Sequence, residues 1–137
     1  MRQILRLDPW GFILRWHEGT ATPFIRTPQR AARLFITANA VYSPEELHAR
    51  LGLESGLVVM QHRPPLWSPP EQVKTPLLWL AAEKDALIAP SAAQCSAAFY
   101  HADYILVKEA GHDLMLEQSY RQSAEVVHDW LTRQGIE

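Results

Sequence analysis

At 137 residues, with 47% hydrophobic and 20% charged residues and a net charge of −2, the chain has the composition of a single globular domain. That balance argues against a basic nucleic-acid-binding protein and against an acidic disordered tail. Its apolar runs are far shorter than the ~18–20 residues of a membrane span, so no membrane-spanning segment is expected.

The opening Met1-Arg-Gln-Ile-Leu-Arg-Leu-Asp8 is too charged and too short for a signal peptide, which makes a cytoplasmic location the expectation. Cys95 is the only cysteine, so neither an internal disulfide nor a thiolate metal cluster can form, and its expected place is as a small buried helix residue. Most of the ten prolines lie between Pro23 and Pro76, and the composition divides near residue 72. Residues 1–72 read as a connection, a helical cap-like segment and a proline-rich linker. Residues 73–137 read as a β-α-β-α unit.

Taken in order, Met1 to Pro23 reads as irregular, with a turn at Pro9-Trp10-Gly11. Trp10, Phe12, Leu14 and Trp16 alternate as on an edge strand or a buried loop. Buried packing is the first expectation for Trp10 and Trp16, with an acyl pocket as the functional alternative. Thr27-Pro28 pairs a hydroxyl cap with proline at the first helical position, and the spacing of Ala31, Ala32, Leu34 and Phe35 predicts a helix to about Ala40. Ser43-Pro44-Glu45-Glu46 is a capping box, and Gly52 is placed to close the helix it opens. His62 to Pro70 holds four prolines and reads as a semi-rigid linker.

Beyond Val73 the pattern changes. Leu77-Leu-Trp-Leu-Ala81 is an unbroken apolar run of strand length, as expected of a parallel strand covered on both faces. Ser91-Ala-Ala-Gln94 reads as a capping box for a helix reaching Tyr100, and Tyr104 to Val107 is a second strand. Ser119-Tyr-Arg-Gln122 caps a last helix with Tyr120, Ala124, Val127 and Leu131 on its apolar side and Gly135 at its end. Joined by so short a crossover, the two strands should be parallel neighbours.

Asp85 and His112 each follow one of these strands. Adjacent strands lie ~4.7–4.9 Å apart, so residues on neighbouring post-strand loops can reach hydrogen-bond distance. A carboxylate on one imidazole nitrogen fixes the tautomer and leaves the other nitrogen to take a proton. Gly111 is expected to leave the backbone unencumbered so that the ring can swing over the sheet edge. Asp113 is the rival acid, but its adjacency to His112 suits a bond to turn backbone better. A metal site from His112, Asp113 and Glu117 lacks a second histidine and is not expected, and no cofactor is implied. His17, His48, His62, His101 and His128 neighbour no partner motif, and Ser55 and Ser91 are poor nucleophile candidates.

The run Lys74-Thr-Pro-Leu-Leu-Trp-Leu-Ala-Ala-Glu-Lys-Asp85-Ala-Leu-Ile-Ala-Pro90 followed by Ala110-Gly-His112-Asp-Leu-Met-Leu-Glu117 resembles the C-terminal portion of an α/β-hydrolase. The likeness is close from about Val73 to Leu131 and looser over residues 27–60, where Arg30-Ala-Ala-Arg-Leu-Phe35 and Leu53-Glu-Ser55 resemble the family's lid. It implies a partial α/β-hydrolase fold of the α/β class: two C-terminal parallel strands with flanking helices plus a helical lid segment. It also implies Asp85 as triad acid and His112 as base, acting on ester, thioester, amide or similar small substrates. Ala81 and Ala82 stand where the family often has glycine before the acid.

A larger departure is the nucleophile. The family places it in a G-x-S-x-G elbow before the acid, and none of Gly11, Gly19, Gly52, Gly56, Gly111 and Gly135 frames one. Gly52-Leu-Glu-Ser-Gly56 has the outer glycines with glutamate in the nucleophile place, and no His-Gly run supplies an oxyanion hole. The expectation is an enzyme part that is inactive alone, its substrate turned over when an N-terminal half complements it. Members of the family with an aspartate nucleophile, the dehalogenases, fit the same residues. The alternative is a non-catalytic module that pairs its exposed sheet edge with another chain or with itself.

Overall fold

The computed structural model describes residues 2–18, 20–52, 55 and 73–136. Among these are six α-helices and two parallel strands: α1 (Arg2–Leu7), α2 (Pro9–Glu18), α3 (Pro28–Phe35), α4 (Pro44–Arg50), β1 (Leu78–Ala82), α5 (Pro90–Phe99), β2 (Asp103–Val107) and α6 (Tyr120–Arg133). Single 3₁₀ turns lie at Thr22–Phe24 and Leu114–Leu116. No helix among the described residues is long and apolar enough to cross a membrane.

The β-α-β-α half has the expected elements. β1 and β2 pair in parallel, with Leu78 opposite Asp103 and Ala82 opposite Val107. Ala82, Val107 and Ala110 form a buried cluster at the carboxyl ends of the strands, with Leu114 packed against it. α5 turns Ala93 and Ala97 inward, where small side chains let a helix lie close on the sheet. Among the described residues the sheet has only these two strands, so each has one flank without a strand partner.

Several boundaries differ from expectation for local reasons. Ser91 does not cap α5: Pro90 holds the first helical position and Ala89 precedes it, with no side-chain cap. Ser119 likewise gives α6 no side-chain cap. Cys95 is exposed, not buried, because it falls between the inward positions Ala93 and Ala97. α6 presents Ser123 and Trp130 inward, not Tyr120 and Ala124, and the Trp130 indole N–H donates to Asp103 Oδ2 at 2.6 Å. Gly135 does end α6. Its φ of +72°, with Ile136 N–H on the Leu131 carbonyl and Gly135 N–H on that of Thr132, makes a Schellman closure.

The N-terminal segment is not irregular: it forms α1 and α2. Asp8-Pro9 is a helix start of the same kind as Thr27-Pro28, with Asp8 Oδ1 accepting the Gly11 N–H at 2.8 Å. The other Asp8 oxygen pairs with Arg30 on α3. Trp10 is therefore on a helix and 72% exposed, which overturns its expected buried packing. With Leu7, Phe24 and Leu34 it borders a hollow of about 320 Å³.

α3 is capped by Thr27 and α4 by the reciprocal Ser43–Glu46 box, as the spacing predicts. α3 stops at Phe35, short of Ala40, since Ile36 turns extended and the following residues bond across to residues 113–118. Leu51 ends α4 in an extended conformation, so no left-handed Gly52 is needed. The proline-rich linker and most of Gly52-Leu-Glu-Ser-Gly56 lie outside the described residues, as do the side chains of Trp16 and His17.

Candidate acid–base site

Parallel register is what brings Asp85 and His112 together. Ala82 and Val107 end their strands side by side, and the two following loops are stitched to each other. Glu83 N–H donates to the Val107 carbonyl and Lys84 N–H to that of Ala110, both at 2.9 Å, and the Lys84 and Glu109 side chains form an ion pair. Asp85 and His112 lie just beyond these ties.

His112 Nδ1 is 2.9 Å from Asp85 Oδ2. An ionised carboxylate only accepts hydrogen bonds, so Nδ1 carries the proton and the Nε2 lone pair is free. Asp85 Oδ1 accepts the N–H groups of Leu87 at 2.7 Å and Ile88 at 2.9 Å, which fixes the carboxylate plane. The Asp85 side chain is 9% exposed and that of His112 30%: the carboxylate is covered and the imidazole is reachable.

The electrostatics follow from these contacts. Burial works against ionisation of Asp85, but the His112 N–H and the two backbone N–H groups outweigh it and hold the carboxyl below its usual range. The hydrogen bond to Asp85 outweighs the partial burial of His112. Together with the charges of Asp85 and Asp113 it holds the imidazole above its ordinary value of 6.5.

Asp113 does not act as a second acid on the ring. Its backbone serves the turn, N–H donating to the Phe35 carbonyl at 2.8 Å and its own carbonyl accepting from Leu116 at 2.9 Å. Its carboxylate does not make the expected bond to turn backbone, since it gives the following 3₁₀ turn no side-chain cap. Burial pushes its pKa up, and the charges of Asp85 and Glu117 add to this against His112.

Glu117 is 1% exposed, and both of its carboxylate oxygens accept hydrogen bonds. Oε1 accepts Thr37 N–H at 2.7 Å and Gly111 N–H at 3.1 Å, and Oε2 accepts the Thr37 hydroxyl at 2.6 Å. Among the described residues no group of three His, Cys, Asp or Glu side chains could hold a metal ion. This network also revises the role of Gly111. Its backbone is not in the left-handed region; glycine is required because a Cβ would sit 2.8 Å from Glu117 Oε1 and 3.1 Å from the Ile36 backbone. Gly111→Ala should therefore destabilise the fold by about 1–3 kcal/mol, the usual cost of overpacking against backbone that cannot yield. Urea denaturation of the two proteins measures it.

Phe35 completes the surroundings, its ring centroid 6.1 Å from that of His112 at a 46° tilt. His48 is on α4, where its Nε2 bonds the Ile25 carbonyl at 2.9 Å, and His101 and His128 are exposed, as is Ser55; His62 lies outside the described residues. Phe35, Thr37 and Glu117 are the residues that sequence reasoning did not assemble, because Thr37 and Glu117 are 80 positions apart.

No family model, no curated protein and no solved structure matches this chain.

Proposed function

We propose that Asp85 and His112 are the acid–base half of an α/β-hydrolase-type triad, and that the chain is the C-terminal part of a hydrolase of ester, thioester, amide or similar small acyl substrates. The observation that carries this reading is the Asp85 Oδ2 to His112 Nδ1 contact at 2.9 Å, with the acid covered and the ring reachable. It is supported by the order of acid before base and by their places after adjacent parallel strands, where open α/β sheets put their ligands.

In this reading His112 Nε2 takes the proton of a nucleophile hydroxyl as its oxygen attacks the substrate carbonyl. Asp85 then holds the imidazolium so formed, which returns the proton to the leaving group. The nucleophile and the oxyanion donors come from sequence other than these residues, since no glycine here frames an elbow.

Hydrolysis of p-nitrophenyl acetate and butyrate tests the reading. The purified chain and its His112→Ala variant should both stay at background. A reading frame extended upstream through a Gly-x-Ser-x-Gly segment should hydrolyse both esters and lose about 10²–10⁴-fold on His112→Ala. Hydrolysis by the chain alone that vanishes in His112→Ala would reveal a nucleophile within it and overturn this division of labour. Hydrolysis by the extended product that ignores His112→Ala would overturn the assignment of the base.

A further inference from the structure

A buried carboxylate is costly unless its oxygens are satisfied, and a fully buried one that only filled space would be better replaced by an apolar side chain. Glu117 is such a group, and its three donors come from two separate segments of chain. Gly111 N–H belongs to the residue that delivers His112; Thr37 N–H and hydroxyl belong to the segment leaving α3. Backbone bonds extend the junction on both sides of Glu117. Asp113 N–H reaches the Phe35 carbonyl at 2.8 Å, Val41 N–H the Leu116 carbonyl at 2.7 Å, and Ala40 forms an antiparallel bridge with Glu117 itself.

The geometry points to Glu117 as a positioning residue, with Thr37 as its partner, that sets the orientation of the His112 ring by locking the cap-like α3–α4 segment to the His112 loop. The bond from Asp85 fixes Nδ1 but leaves the imidazole free to rock about that bond. Phe35 limits the rocking, and Phe35 lies two residues before Thr37, whose place is set by Glu117. Gly111, held by the same carboxylate, fixes the backbone from which the ring projects. One carboxylate thus secures both supports of the base.

The proposal rests on His112 being the base, but its test requires no catalysis. Histidine ring NMR of the chain is followed through a pH titration in the wild type, Thr37→Val, Thr37→Ser and Glu117→Gln. The valine variant removes the hydroxyl bond to Glu117 while leaving the charges that face His112, those of Asp85 and Asp113, in place. Its His112 midpoint should fall toward the ordinary imidazole value and its Nδ1 proton should exchange faster with water. Thr37→Ser should restore both. Glu117→Gln should shift the midpoint at least as far as the valine variant. The Trp130 indole proton, bonded to Asp103, should stay in place throughout and report an intact fold.

A His112 midpoint and Nδ1 exchange unchanged in Thr37→Val would overturn the coupling, as would a serine variant that behaves like valine. If Glu117→Gln does not fold, the Thr37 pair decides alone. Coupling seen by NMR in a chain whose extended form hydrolyses no ester, thioester or amide would leave the positioning of the His112 ring standing and end the hydrolase reading.

Discussion

Glu117→Val is expected to destabilise the protein by about 3–5 kcal/mol, the largest stability loss of any single substitution considered. The valine approximates the buried volume but accepts nothing, so Gly111 N–H, Thr37 N–H and the Thr37 hydroxyl lose their acceptor together. A buried donor left unmatched costs about 1–3 kcal/mol. Gly111 is buried while Thr37 is half-buried and can recover some hydration, which puts the total below three full penalties. Domains of this size are held by only about 5–15 kcal/mol, so much of the stability is at stake. Glu117→Gln keeps the shape and one good acceptor and should cost about 1–3 kcal/mol. Guanidinium denaturation of the three proteins at pH 7 measures both; a loss below about 1 kcal/mol for valine would show that water or a rearranged carbonyl replaces the carboxylate.

Asp85→Asn is expected to take His112 Nε2 out of use as a proton acceptor while leaving the fold. Its amide oxygen can still accept the Leu87 and Ile88 N–H groups, so the loop after β1 keeps its shape. The atom facing His112 Nδ1 becomes an N–H donor, which forces the ring into the tautomer that carries its proton on Nε2. A protonated Nε2 cannot accept from a nucleophile. In a completed hydrolase the loss should be about 10⁴-fold, the size found when a triad acid is made an amide. In the isolated chain the same variant should bring the His112 midpoint down, since the bond that raises it has gone.

The stability difference between wild type and Asp85→Asn should depend on pH in a defined way. The lowered Asp85 pKa contributes stability above the unfolded value of 3.8, lost as pH falls through the folded one. The raised His112 pKa contributes stability below 6.5, lost as pH rises through the folded value. The two proteins should differ most between about pH 4 and 6.5; below that window the Asp85 contribution is lost, and above it the His112 contribution is lost while that of the ionised Asp85 remains. Denaturation at pH 3, 5.5 and 9 locates that window. A completed enzyme would behave oppositely on the alkaline side, gaining activity as His112 loses its proton above 6.5.

What could be read from the sequence was whatever depends on neighbours along the chain. Leu77-Leu-Trp-Leu-Ala81 and Tyr104 to Val107 are apolar without interruption, and the strands lie within one residue of those limits. Once two short parallel strands share a register, residues just past their ends lie side by side, which is why the pairing of Asp85 with His112 is legible in the sequence. The capping box at Ser43 is a relation over three residues and was equally plain.

The departures from the sequence pattern have a common cause. Asp8-Pro9 is a cap followed by a first-position proline, yet Trp10, Phe12, Leu14 and Trp16 alternate as on an edge strand or a buried loop, and local hydrogen bonding outweighs that alternation. α3 ends early because Thr37 has a partner 80 residues away. No periodicity announces such a pairing. Cys95 and the inward face of α6 depart from expectation for the related reason that hydrophobicity alone does not say which side of a helix meets the sheet.

The separation of 80 residues between Thr37 and Glu117 also orders events in time. Asp85 and His112 are 27 residues apart, and closing the longer loop costs about 1 kcal/mol more in chain entropy. The β1–α5–β2 unit, built from near contacts, can form while the α3–α4 segment is still unattached, and contacts made late in folding govern the rate of unfolding, not that of folding. Asp85 and His112 are thus expected to meet before the cap-like unit is fastened beside them, and changes at Thr37 or Glu117 should act chiefly on how quickly that unit detaches.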